Sequence, residues 1–330
     1  MSQSIMKKNI AILRGGDSSE IIVSIKSAAV VFEHIDTNIY RPFIVHIEAH
    51  KWLLIEGENE YPINKDDFSC SIDGEKIIFD GAFMAIHGTP GEDGKLQAYF
   101  DLLDIPYTCS GTFEASLTFN KGMCNALLKQ YDIPSAKAIL INKGDPIDTL
   151  KYETQLSLPC FVKPNRAGSS FGISKVKNSS EWNKAIEGAF IHDDQVIIES
   201  FVDGTEVTCG IIENGKEIIA LPLTEIVTEN DFFDYEAKYE GKSQEITPAR
   251  VSASEKEQVQ TISKRIYRLL KLKGMVRMDY IIEQGKAYLI EINTVPGLSE
   301  ESIIPQQAKE YGISMTELFG MAINNMFSND

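Results

Sequence analysis

Residues 276–293 read Val-Arg-Met-Asp-Tyr-Ile-Ile-Glu-Gln-Gly-Lys-Ala-Tyr-Leu-Ile-Glu-Ile-Asn. Apolar and polar residues alternate on both sides of Glu283-Gln284-Gly285-Lys286, the pattern of two strands joined by a turn. Successive side chains point to opposite faces of a strand. If the connecting turn holds an odd number of residues, Arg277, Asp279, Glu291 and Asn293 share one face. Met278, Tyr280, Ile282, Tyr288, Ile290 and Ile292 then share the other, and a one-residue slip would scatter the polar set. Asp and Asn are poor strand formers, so gathering them on one face has a cost that function can justify. Two carboxylates and an amide oxygen on a rigid sheet suit Mg²⁺, a hard cation whose shell phosphate oxygens can complete. The solvated face of an ordinary hairpin has the same alternation, and spacing alone does not choose between the two.

Around this hairpin the third segment is strand-rich, with strands expected at Glu206–Glu213 and Lys216–Pro222 and helices at about 253–272 and 313–327. At the other end of the chain, Asn9–Leu13 reads as a buried strand entering a turn at Gly15-Gly16. A helix follows from Ser19, with Ile22, Ile25, Ala29 and Phe32 at helical spacing. Strands at Phe43–Ile47 and Gly81–Ile86 and a helix at Lys95–Leu103 continue the order. Strand, turn and helix recurring this way indicate a parallel α/β unit up to residue 109, with residues 48–80 a hairpin-like insertion. The middle of the chain predicts a helix over Phe113–Tyr131, stopped before Pro134. Strands at Ala136–Ile141, Cys160–Lys163, Ser174–Val176 and Gln195–Glu199 follow, with a helix at Ser180–Phe190. No internal repeat or low-complexity linker interrupts the 330 residues, so two or three units are expected to pack around a shared cleft.

Bulk composition excludes several classes of function. With 48 acidic against 32 basic residues the formal net charge is −16, which disfavours general binding to nucleic acid or anionic membranes. Met1–Asn9 lacks the apolar stretch of a signal peptide, and no later run reaches the roughly 20 apolar residues of a membrane helix. Cys70, Cys109, Cys124, Cys160 and Cys209 are odd in number and scattered, which fits free thiols in a reducing cytoplasm better than disulfides or zinc.

Three further stretches carry chemistry. Lys163-Pro-Asn-Arg-Ala-Gly-Ser-Ser-Phe-Gly172 offers backbone N–H groups that can fold over phosphates, although its lysine precedes the glycines, unlike a Walker A loop. A mobile surface loop has the same composition. Phe232-Phe-Asp-Tyr-Glu-Ala-Lys-Tyr239 suggests a lid over a reaction centre, with a hydrophobic plug as the alternative. Gly15-Gly-Asp-Ser-Ser-Glu20 lies at the carboxyl end of a strand, where open α/β sheets bind ligands. Glu20 there either complements the helix dipole or holds a substrate ammonium group.

Taken together these stretches resemble the D-alanine:D-alanine ligases of the ATP-grasp superfamily over nearly the whole chain. The matching segments fall in the family's order: Gly15–Glu20, His87-Gly-Thr-Pro-Gly-Glu-Asp-Gly-Lys-Leu-Gln97, Ile105–Gly111, Lys163–Gly172, Tyr235–Tyr239, Arg277–Asp279 and Glu291–Gly297. Each is weak alone; their joint order is specific. The resemblance implies an α/β chain, α+β in parts, with the ATP-grasp fold in three subdomains at 1–109, 110–200 and 201–330, the last with a lid at 225–245. It implies ATP-dependent ligation of two D-alanine molecules through an acyl phosphate, with Mg²⁺ or Mn²⁺, two ions in the family. A homodimer is also implied.

Residue by residue, the resemblance gives Lys121, Lys163, Ser170 and Lys238 to the ATP phosphates, and Glu199, Phe201, Val202 and Glu206 to the adenine and ribose. Asp279, Glu291 and Asn293 would hold the metal. Glu20 would anchor the first D-alanine's ammonium group, linked by hydrogen bonds to Ser169 and Tyr239. Arg277 and the Gly297 N–H would form the oxyanion site, and Ser302 would bind the second substrate's carboxylate beside Ile303. His87 and Glu92 would support the same mouth. Departures from the family pattern are Ile21 and Ile22 in place of a polar pair, Ala167 in place of an acid, and Phe201 and Phe233 in place of other aromatics. A D-serine or hydroxy-acid acceptor and a nucleotide sensor without turnover are the rival readings. The complete set Arg277, Asp279, Glu291 and Asn293 argues against the sensor, which needs no oxyanion stabiliser.

Overall fold

The computed structural model describes residues 7–168, 171–228 and 243–328. Its first sheet is built from β1 (Lys8–Gly15), β2 (Tyr40–Glu48), β3 (Lys51–Glu56), β4 (Asn59–Asn64), β5 (Ser69–Ile72), β6 (Glu75–Ile78) and β7 (Gly81–Met84), in the order β6-β5-β4-β3-β2-β1-β7. Only the β2-β1-β7 pairings are parallel; residues 48–80 extend the edge as an antiparallel meander rather than a separate insertion. Ile10, Ala11, Ile12 and Leu13 are completely buried because both faces of β1 are covered.

Helix α1 (Ile21–His34) crosses from β1 to β2, but it buries a different stripe from the one expected. Ser24, Ser27, Ala28 and Val31 face inward, while Ile22 is 65% and Phe32 42% exposed. Small residues let the helix lie close to β1, and Ser24 Oγ accepts from the Gly15 N–H at 2.9 Å. Close approach overrode apolar spacing.

Helix α2 (Lys95–Leu102) matches its expected position, whereas the single helix expected over 113–131 is two, α3 (Thr112–Phe119) and α4 (Lys121–Lys129). Asn120 breaks it: its backbone is extended and its side chain caps α4 by accepting from the Met123 N–H. A second sheet runs β10-β9-β11-β8, from β8 (Ala138–Asn142), β9 (Cys160–Pro164), β10 (Ser174–Val176) and β11 (Gln195–Ser200). Helices α5 (Thr149–Leu156), not foreseen in the sequence, and α6 (Trp182–Ala189) cover it, with Trp182 in the core between them.

The third sheet has β12 (Thr205–Asn214) at its centre, paired with β13 (Glu217–Ala220), β14 (Thr224–Thr228) and β16 (Val276–Glu283). β15 (Ser243–Ile246) extends it beyond β14, and β17 (Lys286–Asn293) pairs with β16. Helix α7 (Ala253–Leu269) covers one face, started by a capping box between Ser252 and Glu255. The other face looks onto the cleft. The described ends of the stretch expected as a lid, 225–228 and 243–245, are the paired strands β14 and β15; residues between them lie outside the described set.

Packing crosses the expected segment limits in several places. Cys124 and Leu128 of α4 join the core beneath β12 and α7. Helices α8 (Ile303–Tyr311), also unforeseen, and α9 (Met315–Phe327) bring Ile304, Leu318 and Phe319 into one core with Ile10, Ile12 and Val31 of the first unit. All five cysteines are buried and free. Among the described residues no helix is long and apolar enough to cross a membrane.

Candidate active site

The hairpin β16–β17 turns through Gln284 and Gly285, both with positive φ (50° and 78°), so Glu283 pairs with Lys286. A two-residue turn is even, not odd, and alone would set Asp279 opposite Ile290. A bulge restores the parity. Between Asp279 and Tyr280 the register shifts, so that Tyr280 pairs with Leu289 but Asp279 pairs with Glu291 and Arg277 with Asn293. Residues directly opposite in an antiparallel pair share a face. The polar quartet is therefore on one face as expected, for a different reason. The expected apolar set needs correction: Tyr288 and Ile290 line the cleft, and Ala287 and Leu289 take their places in the core.

The same register continues across β12 and β14. Glu206 stands opposite Ile281 and Ile226, and Thr208 opposite Asp279 and Thr224. The cleft face thus has a row Thr224, Thr208, Asp279, Glu291, flanked by Glu206 on one side and by Arg277 and Asn293 on the other.

Two adjoining cavities open above this face. One, of about 480 Å³, is lined by Lys163, Glu199, Phe201, Val202, Glu206 and Asp279. The other, of about 430 Å³, is lined by Glu20, His87, Arg277, Asn293, Gly297, Ser302 and Ile303. Lys121, Gly168 and Glu291 line both and mark the junction. Every described residue expected at the site is thus brought to one of these two cavities. Ser169, Ser170, Lys238 and Tyr239 lie outside the described residues.

The first cavity is held by opposite charges. Lys163 Nζ lies 2.5 Å from Glu199 Oε2, both nearly buried. Burial disfavours the ammonium, but the Glu199 carboxylate, together with Glu291 and Glu206, outweighs it and keeps the lysine pKa above its ordinary value. Lys121 Nζ lies 3.2 Å from Glu291 Oε2 and donates to the Ala167 carbonyl at 2.8 Å. Arg277 forks Asp279, with Nε to Oδ1 at 2.9 Å and Nη2 to Oδ2 at 2.8 Å. Burial again opposes the charge, and Asp279 reverses the effect, raising the arginine pKa. Phe161 and Phe201 lie tilted against each other near Lys175, whose ammonium is 4.0 Å from the Phe201 ring centre.

At the second cavity two carboxyl groups, Glu20 and Glu92, lie close together. Glu92 is buried; its Oε2 accepts from the Gly88 N–H at 2.7 Å and its Oε1 from the Val295 N–H at 3.4 Å. Burial, with Glu20 nearby, pushes its pKa up to about 8. Burial lowers that of His87, so the ring stays neutral. His87 Nδ1 is 2.7 Å from the Val295 carbonyl, which only accepts, so that nitrogen carries the proton. Nε2 then accepts from Ser27 Oγ at 3.1 Å, and Ser27 Oγ accepts from the Leu298 N–H at 3.0 Å. This chain ties α1 and the turn after β7 to the loop carrying Gly297. Ser27 was missed in the sequence because a serine on a helix shows no sign of a partner 271 residues away.

Glu20 stands at the first turn of α1 against the glycine-rich loop. A Cβ on Gly168 would lie 2.3 Å from Glu20 Oε2, so any larger residue there would push the Glu20 carboxylate aside. The loop root is fixed by buried Asn165, which donates to Asn120 Oδ1 and Gln195 Oε1 and accepts from the Gly122 N–H.

The donor set also bears on metal chemistry. Among the described residues no group of three or more His, Cys, Asp or Glu could hold an ion by itself. Asp279, Glu291 and Asn293 supply oxygen only, which fits Mg²⁺ or Mn²⁺ that fills its shell with phosphate oxygens.

Comparison with known proteins identifies a family. Family models described as "D-ala D-ala ligase N-terminus" and "D-ala D-ala ligase C-terminus" match residues 9–110 and 127–324. A D-alanine–D-alanine ligase of Flavobacterium johnsoniae is 52% identical over 317 residues, covering 96% of this chain and 98% of that one. Among solved structures, the VanG D-Ala:D-Ser ligase from Enterococcus faecalis superposes with a TM-score of 0.88 at 33% identity, covering 97% of this chain and 100% of that one. The Bacillus anthracis D-alanine–D-alanine ligase complexed with ATP superposes with a TM-score of 0.79 at 26% identity, covering 97% of each chain.

Proposed function

The chain belongs to the D-alanine–D-alanine ligase family and has its ATP-grasp fold, and from that premise we propose which of its residues carry the reaction. It is an ATP-dependent ligase that joins two D-alanine molecules into D-alanyl-D-alanine for cell-wall precursor synthesis. The observation that carries our assignment is the contiguity of the two cavities across Lys121, Gly168 and Glu291. One cavity takes the nucleotide, the other the two amino acids, and the γ-phosphate lies where they meet.

In the first step a carboxylate oxygen of D-alanine attacks the γ-phosphorus, the bond to the β-phosphate oxygen breaks, and ADP leaves an acyl phosphate. In the second, the amine of the other D-alanine attacks the acyl carbon, inorganic phosphate leaves, and the nitrogen loses a proton. Lys121, Lys163 and Lys238 offset phosphate charge, and Ser170 binds the ATP beside them. Glu199, Phe201 and Val202 surround the adenine, and Glu206 accepts from the ribose. Asp279, Glu291 and Asn293 hold Mg²⁺ or Mn²⁺, two ions in our reading, and the bound metal supplies charge stabilisation to the transferring phosphoryl group. Glu20, with Ser169 and Tyr239, holds the first ammonium group. Arg277 and the Gly297 N–H stabilise the oxyanion. Ser302 binds the second carboxylate, walled by His87 and Ile303.

Segments 1–109, 110–200 and 201–330 act as the three units, with 225–245 as the lid that excludes water from the acyl phosphate. The protein works as a homodimer in the cytoplasm, and sedimentation equilibrium of the full chain tests the dimer: a single monomeric species would remove it. Mass spectrometry of products from ATP, Mg²⁺ and an equimolar mixture of D-alanine, D-serine and D-lactate tests the reaction. The expected result is D-alanyl-D-alanine as the main product, with ADP and phosphate formed in step with it. ADP release without dipeptide would sink the reading, and a majority of D-alanyl-D-serine would change the acceptor.

A further inference from the structure

We propose that Thr208 is a positioning residue for Asp279: when Arg277 leaves the Asp279 carboxylate for the reacting carboxyl group, the Thr208 hydroxyl donates to Asp279 and keeps it turned toward the nucleotide phosphates. The inference rests on the placement of metal and oxyanion groups proposed above and adds to it a residue which that reading does not use.

Three observations carry it. Thr208 and Asp279 are direct partners in the antiparallel β12–β16 ladder, so their side chains share the cleft face at neighbouring positions. Among the described residues buried Thr208 Oγ1 has no hydrogen-bond partner, whereas its neighbour on the other side, Thr224 Oγ1, has two, Thr247 Oγ1 at 2.6 Å and Gln307 Nε2 at 3.0 Å. A buried hydroxyl without a partner is costly, so one such group beside a reaction centre points to a partner gained in another state. Finally, both Asp279 oxygens are occupied by the Arg277 fork.

The conflict in that fork is chemical. While Nε and Nη2 face Asp279, Arg277 has only Nη1 fully free for a developing oxyanion, and a cation drawing on the Asp279 oxygens competes with the fork. Once the two separate, Asp279 loses the donors that fixed its rotamer. Thr208 is the hydroxyl directly beside it. A hydroxyl donor suits the task, since it orients the carboxylate without adding a positive charge that would compete with a metal ion.

Titration of Mn²⁺ by electron paramagnetic resonance, with ADP present, tests this on Thr208→Val, Thr208→Ser and Asp279→Asn, alongside steady-state kinetics and melting curves. Thr208→Val, which keeps the shape and drops the hydroxyl, is expected to weaken Mn²⁺ binding about 10- to 100-fold and to lower kcat by a similar factor. It should leave the D-alanine KM within about threefold, and Thr208→Ser should stay within about threefold of the parent throughout. The melting temperature of Thr208→Val should equal or exceed the parent's, because no bond is lost in the resting protein. Parental Mn²⁺ binding and kcat in Thr208→Val would overturn the inference, as would a marked drop in its melting temperature or a serine variant as defective as the valine. Asp279→Asn separates the two levels. If it keeps parental Mn²⁺ binding, the metal reading itself fails; if it loses binding while Thr208→Val does not, only the role of Thr208 fails.

Discussion

The β16–β17 face and the mouth formed by His87, Glu92 and Glu20 sit side by side, yet they handle charge in opposite ways. On the hairpin two cleft carboxylates each meet a cation: Asp279 with Arg277 and Glu291 with Lys121. At the mouth burial, with Glu20 nearby, keeps Glu92 protonated, and burial keeps His87 neutral. The first arrangement keeps full charges ready for exchange with a highly charged ligand. The second keeps neutral donors and acceptors that hold three chain segments together without drawing phosphate. What separates the regions is which groups have been allowed to stay ionised, and burial alone does not decide it, since Arg277 and Glu92 are both deep.

The largest effect is expected on the hairpin. Glu291→Gln removes a charge and frees Lys121 while keeping size, so turnover should fall by about a thousandfold or more, the scale on which charge stabilisation acts in such sites. Circular dichroism and melting should change little, because Glu291 is partly open to the cleft. Turnover within about tenfold of the parent would show that the paired face is only structural.

A smaller effect is expected at the mouth, and it concerns pH. The folded pKa of Glu92 is about 8 against an ordinary 4.5, so between these values the folded chain holds a proton that the unfolded chain has released. The stability this group contributes is therefore present below about 4.5 and lost as pH rises through 8. Glu92→Gln stays neutral at every pH. Its melting temperature relative to the parent should improve by roughly 3 °C or more between pH 5 and pH 8.5, measured by differential scanning calorimetry. An offset that is the same at both pH values would mean that Glu92 is ionised in the fold.

The smallest effect is expected on the exposed side of α1. Ile22→Glu places a charge on that exposed side and should shift stability by no more than about 0.5 kcal/mol. A loss of about 2 kcal/mol or more would mean that α1 buries Ile22 rather than Ser24, Ser27, Ala28 and Val31.

How much of this was legible in the sequence depends on the range over which each feature is set. Alternation in 276–293 and the apolar run at Asn9–Leu13 determined strands, because pleat and burial act on neighbours in the chain. The ordered motifs determined the family, and every described candidate residue reached one of the two cavities. The break at Asn120, helix α5 and helix α8 were not legible, since each interrupts or adds to a pattern that reads acceptably without it. The buried face of α1 was misread because the helix had to approach β1 closely, and small polar residues permit that where isoleucine and phenylalanine do not.

By itself, then, the sequence determined which chemistry the chain carries: oxygen ligands, lysines and an arginine in strands and turns of known order. Tertiary structure alone decided how they meet. Asp279 and Glu291 face each other because a bulge corrects the parity of an even turn, and that correction depends on what β12 and the core beneath accept rather than on any residue in the turn. The proton on His87, the neutrality of Glu92 and the unpartnered hydroxyl of Thr208 depend on groups far away in the chain. Burial and electrostatic fields are sums over everything nearby in space, and only the folded chain fixes what is near.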